Sequence, residues 1–571
     1  MDIETIVKIA RGDAPADFCI INARMINVFS GDVERRDIAV ARGKVVGFGA
    51  YEAHETVDAD GAFVAPGFID PHVHIESAMV SVTEFARAVL PFGTTTVVAD
   101  PHEIANVMGR EGIAYMLASA EDQPMHVYYT LPSCVPATAM ESSGAKLDAD
   151  DLEVFLDNPR IVALAEMMNF PGVINGDPAV LAKVEIARNH KKPVDGHAPG
   201  LARKGLHAYL SAGISSDHEC TTVAEAEEKL RAGMHIMIRE GTCARNLQPL
   251  LPLVTPQTAR RLMWCTDDRH PHDLIETGHI DAIVREAIQS GVDPMLAIQM
   301  ATLNPAEYFG LRELGAIAPG RFADLIFFSD LFNPVVEKVF CRGHLVAENA
   351  KMCPTVQRPA SISIPSTMNR GAADMDLDVP VQTETIRVID VVPDQVITRQ
   401  SMATTPASKG YAVSDPDRDL LKIAVFERHH QTGNTGIAFV RGFGLKSGAL
   451  GSSVAHDSHN IIVVGCHDRD MKRACAEVVN MKGGLVVVND DHVLEKLTLP
   501  IGGLMSPKPL QVVRDGLDRI IEAAHGLGVG LADPFMTLSF LALPVIPELK
   551  ITDLGLVDVN RFELVPLFVS A

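Results

Sequence analysis

The chain has 571 residues, with 50 Lys and Arg against 73 Asp and Glu for a formal net charge of −23, and at 47% hydrophobic and 22% charged it has ample material for several buried cores rather than global disorder. So acidic a chain repels phosphate backbones, and no Lys/Arg stripe interleaved with aromatics offsets this, so nucleic acid is not an expected partner. Nor is a membrane: the most apolar stretch, Phe535 to Ile546, is broken by Pro544 and flanked by Asp533, Pro534 and Glu548, short of the roughly 18 uninterrupted apolar residues that span a bilayer.

The N-terminus, MDIETIVKIARG, is acidic where a signal peptide is basic and has no long apolar core, so a cytoplasmic location is expected. The nine Cys lack any C-x-x-C pair and fit reduced thiols. From Asp17 to Phe48, short apolar alternation punctuated by Gly31, Gly43 and Gly47 predicts small antiparallel strands. Segments of the same style return at Ala323 to Val346. The reading is one small β-sandwich domain built from residues 1–65 and 321–350, with another domain inserted between.

The insert, residues 66–320, alternates β-rich runs with helical patterns. The runs are VAPGFIDPHVH, TTTVVADPHE, MHVYYTLPS, IVALAEMMN, KPVDGHA, ISSDHE, HIMIREGT and LMWCTDDR. Between them lie helical stretches such as TVAEAEEKLRAG, which opens on a capping pair, Thr222 and Glu225. Eight strands alternating with helices in this length predict an α/β fold, a (β/α)8 TIM-like barrel. Residues 351–385, rich in Pro, Ser and Thr and then acidic, read as a linker or crossing segment. NIIVVGCHD, DMKRACAEVVNMKGG and GLVVVND predict a mixed α/β domain over 386–571.

In such a barrel the chemistry sits where strands end. Strand one ends in His72-Val73-His74, and residues i and i+2 of a strand share a face, so both imidazoles point at one place. Strand four ends in Glu166, strand five in His197, strand six in His218 and strand eight in Asp267. Singly, each has a bland reading as a solvated strand end, a structural imidazole or a helix cap. Together they are six nitrogen and oxygen donors from five strand ends, a set that suits two divalent ions.

These residues and motifs resemble the amidohydrolase superfamily, whose members hydrolyse carbon–nitrogen and related bonds with a metal-bound hydroxide. FIDPHVHIES, GTTTVVADPHEIANVMG, ALAEMMNFPGV, DGHAPGL, SSDHECT, MIREGTCARNL and TDDRHPHDL, with SVAHDSHNIIVVG and LPIGGLMS further on, resemble the bacterial-type adenine deaminase family. The likeness spans nearly the whole chain. It implies a metallo-hydrolase that turns adenine and water into hypoxanthine and ammonia, with iron or manganese as the metal; the donor set itself admits zinc. Strand four carries Glu166 rather than the lysine that many relatives carboxylate to bridge two metals, which argues against hydantoinase and dihydroorotase readings. The alternative is a related enzyme acting on another aminopurine or on a cyclic amide or N-acyl substrate.

The expected metal ligands are His72, His74, Glu166, His197, His218 and Asp267, and the expected catalytic residues are Asp267, Glu103 and His218. Asp267 is the candidate for passing a proton to the leaving amine. Attack at C6 pushes electrons onto ring N1; for the donor the resemblance points to the run Asp100-Pro101-His102-Glu103, with Glu103 as the candidate, and the sequence supplies Glu219 and Glu240 as rivals. In that run Asp100 also reads as a helix cap, with His102 and Glu103 solvated or one of the run ligating a metal. Asp100, Glu219 and Glu240 are expected to bind substrate. Arg239, Arg245 and Arg269 are expected to pair with nearby acids. His456, Asp457 and His459, a lone H-D-S-H turn, receive no catalytic role. A homodimer is the expected assembly.

Overall fold

The computed structural model describes residues 3–242, 244–370, 375–393 and 395–569. Two sheets face each other at the N-terminal end. One orders Lys44–Phe48, Ile38–Ala41, Ala16–Ile21 and Ala53–Asp58; the other runs through Leu325–Phe328, Phe63–Pro66 and Arg24–Asn27. Ile20, Val40 and Val45 from the first meet Met25, Val64, Leu325 and Phe327 from the second in a dry core. Leu325–Phe328 pairs antiparallel with Phe63–Pro66, Leu325 opposite Pro66, so the chain enters and leaves the inserted domain on neighbouring strands.

Eight strands form the insert's ring: β1 (Phe68–His74), β2 (Thr94–Ala99), β3 (His126–Leu131), β4 (Ile161–Met167), β5 (Val194–Gly196), β6 (Ser216–Asp217), β7 (His235–Arg239) and β8 (Leu262–Cys265). Every pairing is parallel, and β5 reaches the start of β6 through a Val194–Ile214 bridge. The ring closes where Asp267–Asp268, just past β8, pair with Val73–His74. Strands such as TTTVVA are buried along their whole length, because helices cover the outside and side chains fill the inside. The helix Val223–Arg231 starts where Thr222 accepts the Glu225 amide, as its capping pair predicts.

The C-terminal domain is built on an eight-stranded sheet. Alternation decides its layers: Val486 and Val488 face Met471, Ala474 and Val478 of the helix Asp468–Asn480, while Leu485 and Val487 face the other way, in the core that holds Leu517 and Ile520 of the helix Leu510–Gly526. That second core also contains Ile104 of the barrel and Leu504 and Met505, and Val80 bridges Ser506. The two domains thus share packing beside the barrel mouth. Between Cys353 and Glu384 the described residues form no helix or ladder strand, and Arg358 with Glu84 and Arg370 with the Glu427 carbonyl tie this segment down. Among the described residues no helix is long and apolar enough to cross a membrane.

Candidate metal centre and active site

The end of β1 presents His72 and His74 to the barrel interior, both nearly fully buried. The tautomer of His74 is set by its neighbour: Nδ1–H donates to the Asp100 carbonyl at 3.1 Å, which leaves the Nε2 lone pair facing inward. That atom lies 3.0 Å from Asp267 Oδ1 and 3.4 Å from Glu166 Oε1. His72 Nε2 lies 3.3 Å from the same Asp267 oxygen and is a buried atom without a hydrogen-bond partner. Glu166 turns its other oxygen toward His197 Nδ1, 2.7 Å away, and His218 Nε2, 3.2 Å away. The six residues expected at the strand ends therefore converge on one place.

The electrostatics ask for positive charge there. Burial disfavours a proton on His74, yet Asp267 and Glu166 outweigh it and push its pKa well above the usual imidazole value. Burial likewise works against ionised Glu166 and Asp267, and the histidines around Glu166, and Arg239 with His72 and His74 around Asp267, hold both far below the ordinary carboxylate range. Lone pairs and carboxylate oxygens facing one another, with an orphaned imidazole nitrogen among them, are the donor set of a divalent cation. Overlapping groups, His72 with His74 and Asp267, and His72 with Glu166 and His218, each have ligand atoms within 4.8 Å of one another. The residues fit the group.

Residues 63–346 match the amidohydrolase family, and residues 395–563 match the adenine deaminase C-terminal domain. An adenine deaminase of Desulfatibacillum aliphaticivorans is 54% identical over 99% of both chains, and one of Dehalococcoides mccartyi is 47% identical over 99% of both. The solved L-hydantoinase of Arthrobacter aurescens covers 59% of this chain and 97% of its own, at 16% identity and a TM-score of 0.46. The chain belongs to the adenine deaminase family. The amidohydrolase family implies a divalent metal, and the cluster above is a candidate site for it.

Around the cluster, this adenine deaminase family member arranges its other candidates unequally. Asp100 does not cap the helix that follows; the first residues of that helix lack a side-chain cap. Its Oδ2 lies 3.1 Å from His102 Nδ1 and its buried Oδ1 has no partner. His102 Nδ1 is also 3.5 Å from Glu166 Oε1, so Asp100 and His102 join His74 and Glu166 in a further group of potential donors. Glu219 is gripped by both terminal nitrogens of Arg239, and one of these also reaches Asp267. Glu219 Oε1 is 3.4 Å from His218 Nε2, which keeps it at the site. Arg239 pairs with acids as expected, and the acids are those of the active site. Arg245 pairs with Asp273, while Arg269 donates to Thr277 and to the His279 carbonyl.

One expectation is corrected. Glu240 does not face the cluster: it follows Arg239, whose side chain points inward, so strand alternation turns Glu240 outward. Its carboxylate accepts the Leu247 amide at 3.0 Å and lines a groove with Arg245 and Arg269. Glu103 does reach the barrel mouth, where two imidazoles of the C-terminal domain hold its carboxylate. His456 Nδ1 lies 2.7 Å from its Oε1 and His459 Nε2 contacts its Oε2. Burial opposes the charge, and His456, His459 and His102 overcome it, holding Glu103 well below the carboxylate range.

The H-D-S-H turn given no role by its sequence is thus part of the site. Its only local signal was a pair of imidazoles three residues apart in a loop, and its partner lies more than 350 residues earlier in the chain. A cavity beside Glu103 is walled by Leu504, Phe535 and Met536, with His456 and Ser539 supplying polar edges.

Proposed function

We propose that this chain deaminates adenine hydrolytically, giving hypoxanthine and ammonia, at the cluster formed by His72, His74, Glu166, His197, His218 and Asp267. The observation that carries the reading is this convergence of four imidazoles and two ionised carboxylates at the functional end of a barrel, in a chain matched end to end by proteins named adenine deaminase. Two cations are supported by the two faces of Glu166, one oxygen toward His74 and the other toward His197 and His218. Nitrogen and oxygen donors without thiolate suit manganese or iron, with zinc also compatible. A bound divalent ion supplies Lewis acidity, which brings the pKa of coordinated water from 15.7 toward about 7.

The chain's residues supply the rest. Asp267, aimed inward from a left-handed backbone conformation (φ 58°) and anchored by Arg239, takes the proton of the attacking water and passes it to the departing amine. His218, stacked on His72 with ring centroids 4.0 Å apart, stands beside both Glu166 and Glu219 and orients the attacked face of the purine. Glu103, its carboxylate held by His456 and His459, is the group placed to exchange a proton with N1. Asp100 and Glu219 bind polar edges of the base. The described cysteines are all free thiols, which supports a reducing, cytoplasmic setting.

The test is a spectrophotometric assay of manganese-loaded protein with adenine, with ammonia and hypoxanthine quantified and a chelated control. Matching loss of adenine and gain of both products is the expected result. Silence in protein that holds metal moves the substrate to another aminopurine or to an amide.

A further inference from the structure

The loop Ser453–Asn460 lies in the C-terminal domain, yet it ends inside the barrel mouth. Two of its imidazoles meet one barrel carboxylate: His456 Nδ1 and His459 Nε2 each take a different oxygen of Glu103. All three side chains are nearly fully buried, where hydrogen bonds are electrostatically stronger than in water.

The tautomer of His459 decides what the cluster is for. Its Nδ1 accepts the Ala455 backbone N–H at 3.1 Å, so Nδ1 carries a lone pair and Nε2 carries the proton. A ring fixed in this way donates to Glu103 and has no lone pair at Nε2 for a metal. His459 itself sits in the left-handed region, φ 52°, which histidine adopts more readily than most residues. His456 stacks on Phe540 with centroids 4.6 Å apart, which fixes its ring plane. On its barrel side Glu103 lies 3.4 Å from His102 Nε2, and His102 Nδ1 faces Asp100 and Glu166. A carboxylate behind an imidazole that faces a donor cluster is the usual support for such a ring.

We infer that His459 and His456 are positioning residues of the reaction centre, acting through Glu103, and that the C-terminal domain is therefore a working part of the active site. This rests on the deaminase reading above. His459 supplies a permanent neutral donor that fixes the rotamer of Glu103, and His456 supplies the second bond. Neither needs to touch the purine or the metal. Glu103, so held, presents one face to His102 and the other to the cavity walled by Leu504 and Phe535.

The test is a double-mutant cycle on the full-length, metal-loaded chain, with ammonia release as the readout, metal content and thermal midpoint measured alongside. H459A is expected to lower kcat about 10- to 100-fold with KM little changed. In an E103Q background the same substitution is expected to change kcat by less than about twofold, since a residue that works through Glu103 has nothing left to hold. H459Q, whose amide N–H replaces the Nε2 donor, is expected to recover most of the loss and covers the case in which H459A fails to fold. H430A is the control: His430 also crosses from the C-terminal domain, to the Ser143 carbonyl at 2.9 Å, without touching Glu103, and kcat stays within about twofold. An unchanged kcat in H459A, or losses that multiply onto E103Q, overturns the inference while leaving the deaminase reading intact. A wild-type chain without turnover of adenine overturns the reading itself and this inference with it.

Discussion

Arg239 holds Glu219 and Asp267 at the same time, with Nη1 2.6 Å from Asp267 Oδ2 and Nη2 3.0 Å from Glu219 Oε2. One partly buried guanidinium at the end of β7 thus orients the proposed proton carrier and a neighbouring carboxylate that reaches His218. Burial disfavours the charge on Arg239, but the two carboxylates reverse the balance and raise its pKa. Removing it leaves buried Asp267 and partly buried Glu219 without this counter-charge, a change that costs on the order of 3–5 kcal/mol in fully buried pairs and less where a partner is partly exposed. Arg239→Met is therefore expected to lower kcat by about 100-fold or more and to lower the thermal midpoint, whereas Arg239→Lys, a point charge that cannot grip both acids, recovers stability more than activity. Steady-state kinetics and melting curves on the same preparations check this; equal activity in Arg239→Met and wild type removes Arg239 from the site.

Asp267→Asn keeps the shape and one oxygen but has no carboxylate to accept a proton. Turnover is expected to fall by about 100- to 10,000-fold while most of the bound metal stays, because the histidines and Glu166 remain. Metal analysis beside the ammonia assay separates the two effects, and near-normal turnover removes the proton-carrying role from Asp267.

Metal removal is expected to lower stability as well as activity. The site crowds imidazole lone pairs against ionised Glu166 and Asp267, so a cation that binds only the folded chain adds about 2.7 kcal/mol at a free concentration 100 times its Kd. Chelator-treated protein should melt at a lower temperature, and manganese should restore it. In Glu166→Ala the manganese-dependent rise should shrink, since that residue faces both halves of the site. A full rise in the variant places the stabilising ion elsewhere.

Lys550 gives a pH signature apart from the active site. Its ammonium is buried in the C-terminal domain, donates to the Val396 and Phe540 carbonyls at 2.7 and 2.9 Å, and its pKa is pushed down to about 7 by burial alone. Between pH 7 and the ordinary lysine value near 10.5 the unfolded chain carries a proton that the folded chain has released, so stability rises with pH across that window. Below pH 7 both states are protonated and the burial penalty is present in full. The stability of wild type relative to Lys550→Met is expected to increase from pH 7 to pH 10 by a few kcal/mol, because one proton released on folding is worth about 1.36 kcal/mol for each pH unit crossed. Denaturant titrations at the two pH values check it; parallel pH dependence in the two proteins shows that Lys550 stays charged.

Local pattern was enough to determine the barrel and which strand-end side chains converge in it. His72 and His74 share a face because strand geometry has a period of two, and the strand-end carboxylates and histidines stand at their positions because parallel β/α units put their C-terminal ends on one side. The same periodicity shows why Glu240 faces outward beside an inward Arg239; what was missing was which of the two pointed in, and only the partners Glu219 and Asp267 decide that. The role of His456 and His459 was not legible in the sequence. Their short turn has no periodicity, and its meaning comes from a carboxylate more than 350 residues away that domain packing around Ile104, Leu504 and Met505 brings into reach. Residue types and spacing specify which side chains can do chemistry, whereas the charge state and orientation of Glu103 depend on neighbours that only the folded chain assembles, because burial removes the water that would otherwise solvate each group separately.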